Sequence, residues 1–461
     1  MPPAVTHPAP RPAAPWELGS LTVILALFVL ICCNEIGHLT FMGQDFPFHA
    51  LASEKFALGT PRWFFMDPTS RPLLYAIGGR LIRVCGEPGA YLVSAYAFVG
   101  LAAGALLLLH DASRRVMADP LLRLAALALI AFLPSTLVTT VVFAADTLAL
   151  LPFVLCGWSL LRALEAGTTR DRLAAALLCG LALGIGNFAK ATFFVLPVGV
   201  AVALVASWRA GRLTPRAAYQ IAAAAMILPL VAGLWLSDRA RTEEAGAPAR
   251  HTFDWSGTGE MTVGHLLLPQ PGDGLIFQAP VLLQRPFDPV TGVNPLVKDN
   301  GVSYPALFHL GTFTDVLDFA GNNTVYRRQR PARQAAASRA AVWIGLVFSA
   351  GTLASTFALI LLGVWGLVRP GRAPAPTCLA FLPIALAWYL PLTLTLPFVH
   401  HVYGWAYWLP RLVLPALWIF LFLAFERFGA VLPARFRLIG TGLVVALVAA
   451  QSACGILSVW Y

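Results

Sequence analysis

Residues 20–37 read SLTVILALFVLICCNEIG, a run of eighteen residues in which Glu35 is the only charged side chain. A helix needs about 20 apolar residues to cross the hydrocarbon core of a bilayer, so this run is long enough to be a transmembrane helix. Comparable runs recur along the whole chain, near residues 91–110, 121–140, 146–162, 173–189, 191–208, 217–237, 341–367, 376–397, 411–426 and 438–458. We therefore predict an all-α polytopic membrane protein with about eleven transmembrane helices.

The composition excludes a soluble globular protein and a nucleic-acid-binding protein. With 58% hydrophobic and 12% charged residues, the chain has too little polar surface to cover a soluble fold of this length. The formal net charge is +10, but the arginines cluster between the apolar runs, which is how membrane topology is encoded. The seven cysteines form no CxxC pair and no zinc-type spacing, so the sequence indicates neither a disulfide framework nor a metal site.

The basic residues predict the orientation. Alternate connections contain Arg114, Arg115 and Arg123; Arg162, Arg170 and Arg172; Arg209, Arg212 and Arg216; Arg369 and Arg372; and Arg427, Arg435 and Arg437. By the positive-inside rule these connections are cytoplasmic. We expect a bacterial inner-membrane protein with a cytoplasmic amino terminus and a site that faces the periplasm or the exterior.

Two long segments fall on the predicted outer side and divide the chain. A Pro/Ala-rich tail, 1–19, precedes an amino-terminal module, 20–237, and a carboxy-terminal module occupies 341–461. The first outer loop, 38–90, mixes aromatic and charged residues in the pattern of interfacial helices. The second, 238–340, precedes the eighth span and is rich in Gly, Pro, Asp and Asn. Long ordered loops are often lids or binding loops, so we expect 238–340 to act as a lid.

The first outer loop contains a candidate general base. The stretch NEIGHLTFMGQDFPFHALASEKF places Asp45 just beyond the first span, with His49 four residues later on the same helical face. An equally good alternative is that Asp45 is the N-cap of a helix that begins at Phe46 and Pro47.

Two further ionisable residues lie within apolar sequence at the predicted outer boundary. Asp146 lies in VVFAADTLALLP and Lys190 in GLALGIGNFAKATFFVLP. Ionisable residues inside membranes are costly and usually functional, and a lysine there can bind an anionic group. The alternatives are an N-cap role for Asp146 and a snorkelling role for Lys190.

The last outer connection, PFVHHVYGWAYWLPRLVLPALW, supplies a second cationic candidate. Arg411 follows Pro410 at the start of a helix, where its guanidinium group could hold a phosphate at the bilayer surface. Tyr and Trp at this depth are also ordinary belt residues. Arg71, in DPTSRPLLY, is a weaker phosphate candidate because Asp67 lies at i,i+4 spacing. We expect four residues to contact the acceptor or the sugar: His49, His400, His401 and Tyr403.

The motifs QDFPFH, TSRPLLY, FAADTLALL, GNFAKATF and WAYWLPRLVLPALW, in this order and on one side of the membrane, resemble those of the GT-C glycosyltransferases. That superfamily includes the protein O-mannosyltransferases and the lipid A aminoarabinose transferases, which use polyprenyl-phosphate-linked sugars. The resemblance implies that Asp45 is the general base and Asp146 a second acidic residue that orients the acceptor or the base. It also implies that Lys190 and Arg411 bind the donor phosphate. The chain lacks both a large soluble carboxy-terminal domain and a paired Asp-Glu in the first loop, and the second departure argues against a protein acceptor.

The function predicted from the sequence is therefore an inverting transfer of a sugar from a polyprenyl-phosphate donor to an acceptor hydroxyl on a glycan or lipid. The partners are membrane lipids and a lipid-linked sugar, with no nucleic acid. No cofactor is indicated, and a divalent metal stays an open alternative. The rivals are a transporter or flippase of a lipid-linked or amphipathic solute, and a surface-polysaccharide polymerase or ligase with a lipid diphosphate donor. A transporter should have charges along a path across the bilayer, whereas Asp45, Asp146, Lys190 and Arg411 all lie at one boundary.

Overall fold

The computed structural model describes residues 14–40, 46–60, 72–245, 376–403 and 410–431, with single positions up to 446. In these ranges the chain is helical and contains no strand. The helices are α1 (Pro15–Leu39), α2 (Phe46–Ala57), α3 (Pro72–Val116), α4 (Pro120–Phe132), α5 (Pro134–Val141), α6 (Ala145–Glu165), α7 (Thr169–Ala189), α8 (Leu196–Arg209), α9 (Pro215–Ala245), α10 (Pro376–Tyr403) and α11 (Pro410–Val431), with a 3-10 turn, Ala191–Val195, before α8.

The described helices confirm an all-α polytopic membrane fold. Six of them are long and apolar enough to cross a membrane, or seven if the bent pair α4 and α5 forms one span. All seven predicted spans between residues 20 and 237 have a helical counterpart. The predicted spans 341–367 and 438–458 lie largely outside the described residues, so the count of eleven stays a prediction.

Three of the predicted elements differ in detail from the structure. The predicted span 121–140 is broken, because Pro134 forces Leu133 into an extended conformation and the two helices meet at 57°. The predicted span 91–110 is the second part of α3, whose first part is separated from it by a kink at Gly86 with φ +74. The predicted span 376–397 continues as a helix to Tyr403.

The segment 38–90, predicted to be the first outer loop, contains helices, as its aromatic and charged pattern predicts. They are α2 and the first part of α3, and the kink at Gly86 separates the latter from the apolar second part. The side chain of Arg83 fixes the end of α2, since its Nε donates to the Ala57 carbonyl at 2.5 Å and its Nη2 to the Phe56 carbonyl at 3.0 Å. These bonds satisfy carbonyls that a helix terminus leaves unpaired.

A buried charge network marks one end of the helix bundle, which we call the Glu17 end. The Arg123 guanidinium on α4 donates to both carboxylate oxygens of Glu17 on α1, at 2.8 and 2.6 Å. Nε2 of His110 on α3 lies 3.2 Å from Glu17 Oε1, and Arg123 also donates to the Met117 carbonyl at 2.7 Å. The network joins α1, α3 and α4, and the side chains of Glu17, His110 and Arg123 are almost completely buried.

The opposite end of the bundle, which we call the Asp146 end, is where α1, α5 and α7 finish and α6 begins. The Thr40 hydroxyl, just after α1, donates to the Val141 carbonyl at the end of α5 at 3.2 Å. Helix α10 runs towards this end, since Trp388 near its middle lies beside Lys190. Helix α11 runs away from it, because the Thr377 hydroxyl at the start of α10 donates to Glu426 near the end of α11 at 2.8 Å. The candidate residues Asp146 and Lys190 therefore lie at the end opposite the Glu17 network.

Candidate active site

The two ionisable residues that the sequence places within apolar runs form an ion pair in the structure. The Lys190 ammonium donates to an Asp146 carboxylate oxygen, and both side chains are nearly buried. The residues are 44 positions apart, and they meet because α6 begins where α7 ends. A buried pair of opposite charges is stable only while both partners are present, since either charge alone would lack compensation.

Asp146 does not form an N-cap, so that alternative prediction is wrong. The N-cap position of α6 is Ala144, and Asp146 lies in the first turn, where a carboxylate interacts favourably with the helix dipole. The neighbouring Thr147 hydroxyl donates to the Thr139 carbonyl at 2.5 Å and thereby ties α6 back to α5. The beginning of α6 is thus fixed by Thr147, which leaves the Asp146 carboxylate to pair with Lys190.

Lys190 is buried and ion-paired, so the alternative of a snorkelling spacer is also wrong. Its backbone is extended and ends α7, with the N–H donating to the Gly186 carbonyl at 2.8 Å. Its ammonium nitrogen lies 5.8 Å from the centroid of the Trp388 ring of α10, within the range of a cation–π interaction. Phe153 and Phe193 pack edge-on against the same indole at 5.1 and 5.2 Å between ring centroids. Aromatic rings therefore enclose the lysine side of the pair.

Helix α2 packs against α3 at unusually short range because two glycines face it. A methyl group added at Gly79 would meet the Phe56 Cβ at 2.6 Å and the Ser53 carbonyl at 2.7 Å, and one added at Gly78 would meet the Ser53 hydroxyl at 2.5 Å. Only glycine permits this approach of one backbone to the other. The glycines therefore determine how closely α2 lies against α3.

His49, predicted to contact the acceptor or the sugar, lies on the packed face of α2. Its Nδ1 is 3.3 Å from the Tyr75 hydroxyl of α3, and both side chains are buried. The Ser53 hydroxyl donates to the His49 carbonyl at 2.8 Å, within the same helix. Tyr75 belongs to the TSRPLLY motif, so the structure brings together residues from two of the motifs that the sequence singled out.

An aromatic cluster joins the start of α2 to the ion pair. The Phe46 ring lies 5.2 Å from Tyr91 and 6.5 Å from Phe143, measured between centroids. Phe143 lies two residues before α6, and the same cluster contains Ala145 and Ala189, which directly precede Asp146 and Lys190. Asp45 directly precedes Phe46 in the sequence but lies outside the described residues, as does Arg71.

Arg411 begins α11 at the Asp146 end. Seven residues later, the Trp418 indole donates to the Thr136 hydroxyl of α5 at 2.9 Å. Seven helical residues rise about 10 Å, and Thr136 lies about 7.5 Å below the end of α5. The backbone of Arg411 therefore lies before the Trp418 contact on α11, and its role in binding phosphate stays a prediction.

The structure places the other predicted acceptor residues on α10. His400, His401 and Tyr403 are in the last turns of α10, not in a connection after it. Two contributors to this end were not predicted, since Trp388 and Phe143 occur in apolar runs and are typical of ordinary core residues.

The described residues contain no group of three or more His, Cys, Asp or Glu side chains that could hold a metal ion. The Asp146 carboxylate is already bound to the Lys190 ammonium group, whose positive charge disfavours the binding of a metal cation at the same carboxylate.

Comparison with known proteins returns similar solved structures only. No family model matches the sequence, and no curated protein matches it either. The archaeal oligosaccharyltransferase AglB from Archaeoglobus fulgidus, solved with an inhibitory peptide and a dolichol-phosphate, is 13% identical with a TM-score of 0.47, and the alignment covers 97% of this chain and 56% of that one. An Archaeoglobus fulgidus oligosaccharyltransferase tethered with an acceptor peptide is 12% identical with a TM-score of 0.49, and the alignment covers 97% of this chain and 55% of that one.

A second kind of enzyme is also similar to this chain. The Pmt1-Pmt2 protein O-mannosyltransferase complex of S. cerevisiae, bound to its sugar donor, is 14% identical with a TM-score of 0.41 over 50% of this chain and 35% of that one. The chain thus spans about half the length of the oligosaccharyltransferases and about a third of the mannosyltransferase.

Proposed function

We propose that this protein is a membrane glycosyltransferase that transfers a sugar from a polyprenyl-phosphate donor to an acceptor hydroxyl at the outer face of the cytoplasmic membrane. The observation that supports the proposal is the collection of ionisable and aromatic groups at the Asp146 end. The buried Asp146–Lys190 pair lies there, bordered by the Phe46, Tyr91 and Phe143 rings, where the segment with Asp45 enters α2.

A site at one end of a helix bundle suits a lipid-linked donor. The polyprenyl tail partitions into the hydrocarbon core while the phosphosugar stays at the interface, so the donor reaches such a site by lateral diffusion. A transporter would instead require polar groups along the whole path between the two ends. In the described part of the chain, Asp146 and Lys190 lie at one end and the Glu17 network at the other, and the core between them is mostly apolar, with Glu35 of α1 also buried in it.

In the proposed reaction the acceptor hydroxyl oxygen attacks the anomeric carbon of the donor sugar. The bond from that carbon to the phosphate oxygen breaks, and its electron pair leaves with polyprenyl phosphate. Asp45 accepts the proton of the hydroxyl as the new glycosidic bond forms. A single displacement inverts the configuration at the sugar carbon.

Lys190 and Arg411 are proposed to stabilise the negative charge that develops on the leaving phosphate. Asp146 holds the lysine in place, so its contribution to the reaction is through the position and charge of that ammonium group. Because Asp146 neutralises much of the lysine charge, Arg411 is assigned the larger share of the interaction with phosphate.

The test is the release of polyprenyl phosphate from a panel of radiolabelled polyprenyl-phosphate sugars by purified protein, with membrane extract as the acceptor source. We expect Asp45→Asn to lower release by at least about a hundredfold, the lower range for loss of a general base. Asp171→Asn is the matched control, because Asp171 is exposed at the Glu17 end. This variant should leave the release of polyprenyl phosphate unchanged.

Activity of wild-type level in Asp45→Asn would remove Asp45 from its assigned role. Release from none of the donors, by protein shown to be folded, would reject the transferase proposal. Vesicle flux assays and lipid diphosphate donors would then separate the transporter from the polymerase or ligase.

A further inference from the structure

The end of the bundle opposite the candidate active site carries a group of arginines that the proposed reaction does not use. Helices α6 and α8 end here, and α7 and α9 begin here. The Arg115 guanidinium of α3 donates to the Glu165 carboxylate at the end of α6 at 2.8 Å. Arg172 of α7 donates to the carbonyl of the next residue, Ala166, at 3.1 Å, and Glu165 attracts Arg212, in the turn before α9, electrostatically. Three arginines from three parts of the chain thus converge on the end of α6.

A second set of contacts adds a fourth arginine to the group. Arg115 also bonds Asp111 of its own helix at 3.3 Å, and the Trp158 indole N–H donates to the same carboxylate at 2.9 Å. The Arg162 guanidinium lies 5.5 Å from the centroid of the Trp158 ring, within the range of a cation–π interaction. These contacts connect the four residues that we call the arginine patch: Arg115, Arg162, Arg172 and Arg212.

The arginine patch contains more positive charge than the carboxylates beside it can balance. Its four arginines are accompanied by two carboxylates, Asp111 and Glu165, and Arg115 is bonded to both of them. Nε of Arg172 is buried and has no hydrogen-bond acceptor among the described residues. A guanidinium group keeps its charge in a protein, and a partly buried one is stabilised by an anion beside it. The patch therefore favours the binding of a further anion.

The other acidic residues that the structure describes at this end have roles elsewhere. Glu17 binds Arg123, and Asp119 is the N-cap of α4. Asp171 accepts a hydrogen bond at 2.8 Å from the Thr168 hydroxyl that caps α7. The anion is therefore expected to come from outside the described part of the chain.

Exposed aromatic residues beside the arginine patch indicate its depth in the membrane. The Arg212 N–H donates to the Ser207 carbonyl of α8 at 3.0 Å, and the next residue of that helix, Trp208, is 48% exposed. Tyr219, in the second turn of α9, is 75% exposed. Exposed Trp and Tyr at the ends of membrane-spanning helices lie at the level of the lipid headgroups. The patch is therefore at the level of the phospholipid phosphates, where basic residues attract anionic lipids.

We propose that the arginine patch binds the headgroup of an anionic phospholipid, with Arg172 and Arg212 as the ligands of its phosphate. A planar guanidinium group can donate to two phosphate oxygens at once, which favours a phosphodiester over a smaller anion without matching oxygens. The proposal is independent of the transferase reaction, because the patch lies at the other end of the bundle from Asp146 and Lys190.

The test is a titration of the purified protein in neutral detergent with phosphatidylglycerol, in which native mass spectrometry counts the lipid molecules retained. One phosphatidylglycerol should bind in preference to phosphatidylcholine, whose headgroup has no net charge. Arg172→Gln and Arg212→Gln should each weaken binding about fivefold, which corresponds to the contribution of about 1 kcal/mol from one arginine near a membrane surface. Arg170→Gln is the matched control, because Arg170 is exposed in the first turn of α7 and lies outside the patch. It should leave the dissociation constant unchanged.

A further variant should act in the opposite direction, which impaired folding cannot imitate. Glu165→Gln removes the carboxylate that competes with the lipid for Arg212, so this variant should bind phosphatidylglycerol more tightly than wild type. Inorganic phosphate at the concentration of the lipid should not displace it. Equal retention of phosphatidylcholine by wild type, displacement by inorganic phosphate, or equal losses in Arg170→Gln and in the two patch variants would overturn the proposal.

Discussion

The Asp146–Lys190 pair combines a structural role with a proposed catalytic one, and single and double substitutions separate the two. Asp146→Asn or Lys190→Met leaves one buried charge uncompensated, and removal of one partner of a buried pair typically costs about 3–5 kcal/mol. We expect both single variants to unfold at clearly lower temperature in detergent. The double variant should recover much of that stability, because no charge remains buried.

Transfer activity distinguishes the roles of the pair. If Lys190 contacts the donor phosphate, the double variant is stable but releases polyprenyl phosphate far more slowly than wild type. Recovery of activity together with stability would show that the pair is structural only.

Tyr75 should position His49. Tyr75→Phe keeps the ring but removes the hydroxyl that lies 3.3 Å from His49 Nδ1, a hydrogen bond of about 1 kcal/mol. If His49 binds the acceptor, the KM for the acceptor should rise about fivefold, while kcat changes little. His49→Gln should raise the same KM at least as much. An unchanged KM in Tyr75→Phe would mean that the ring is held by packing alone.

At the scale of elements, the approach of α2 to α3 gives a sharp prediction. Gly79→Ala would place a methyl group 2.6 Å from the Phe56 Cβ and 2.9 Å from the Ala57 nitrogen, so α2 has to move away. We expect a loss of about 1–3 kcal/mol of stability, the usual cost of overpacking, and a loss of transfer activity as the segment before α2 shifts. Thermal unfolding and polyprenyl phosphate release measure the two effects.

The same helix offers a matched control. A methyl group added at Gly100 of α3 would have no atom within 4 Å, so Gly100→Ala should be neutral or stabilising by up to about 1 kcal/mol. Equal effects of the two alanines would contradict a specific contact at Gly79 and indicate a general response of α3.

Hydrophobic run length was enough to predict most elements, while their breaks depend on single residues. The runs at 146–162, 173–189 and 217–237 correspond to α6, α7 and α9 within a few residues at most boundaries, although α9 extends further to Ala245. The break between α4 and α5 was missed because Pro134 occurs within an otherwise continuous apolar run. In α3 the division occurs at Gly86, two residues before Pro88, so a proline lies beside this break as well.

The candidate site was predictable only in part. An ionisable residue in an apolar run is visible in a sequence, so Asp146 and Lys190 were identified as candidates. Their pairing was not, because 44 residues separate them and only the packing of α6 against α7 brings them together. Trp388 shows the same limit, since nothing in its run distinguishes a tryptophan beside a lysine from any other buried aromatic residue.

For the whole molecule, the Glu17 network should stabilise the bundle without affecting chemistry at the other end. Arg123→Met leaves the Glu17 carboxylate buried with only His110 beside it, and we expect a loss of about 3–5 kcal/mol. In the protein that remains folded, the KM for donor and acceptor should be unchanged. Thermal unfolding and steady-state kinetics provide these two measurements.

Arg170→Ala is the control for this prediction, because Arg170 is exposed at the same end. This variant should leave both the unfolding temperature and the KM values unchanged. Glu17→Leu combined with Arg123→Met should recover part of the lost stability. A changed KM in folded Arg123→Met would show that the two ends of the bundle are energetically coupled.

The close contact between α2 and α3 also restricts how this sequence can diverge. Positions 53, 56, 78 and 79 share one small volume, so enlargement of any of these side chains has to be accompanied by a reduction in another. Homologues that keep this helix pair should therefore show compensating changes in size at these four positions, even after overall identity has fallen to the level of chance. A search for that covariation would find distant relatives through a steric rule, independently of which residues perform the chemistry.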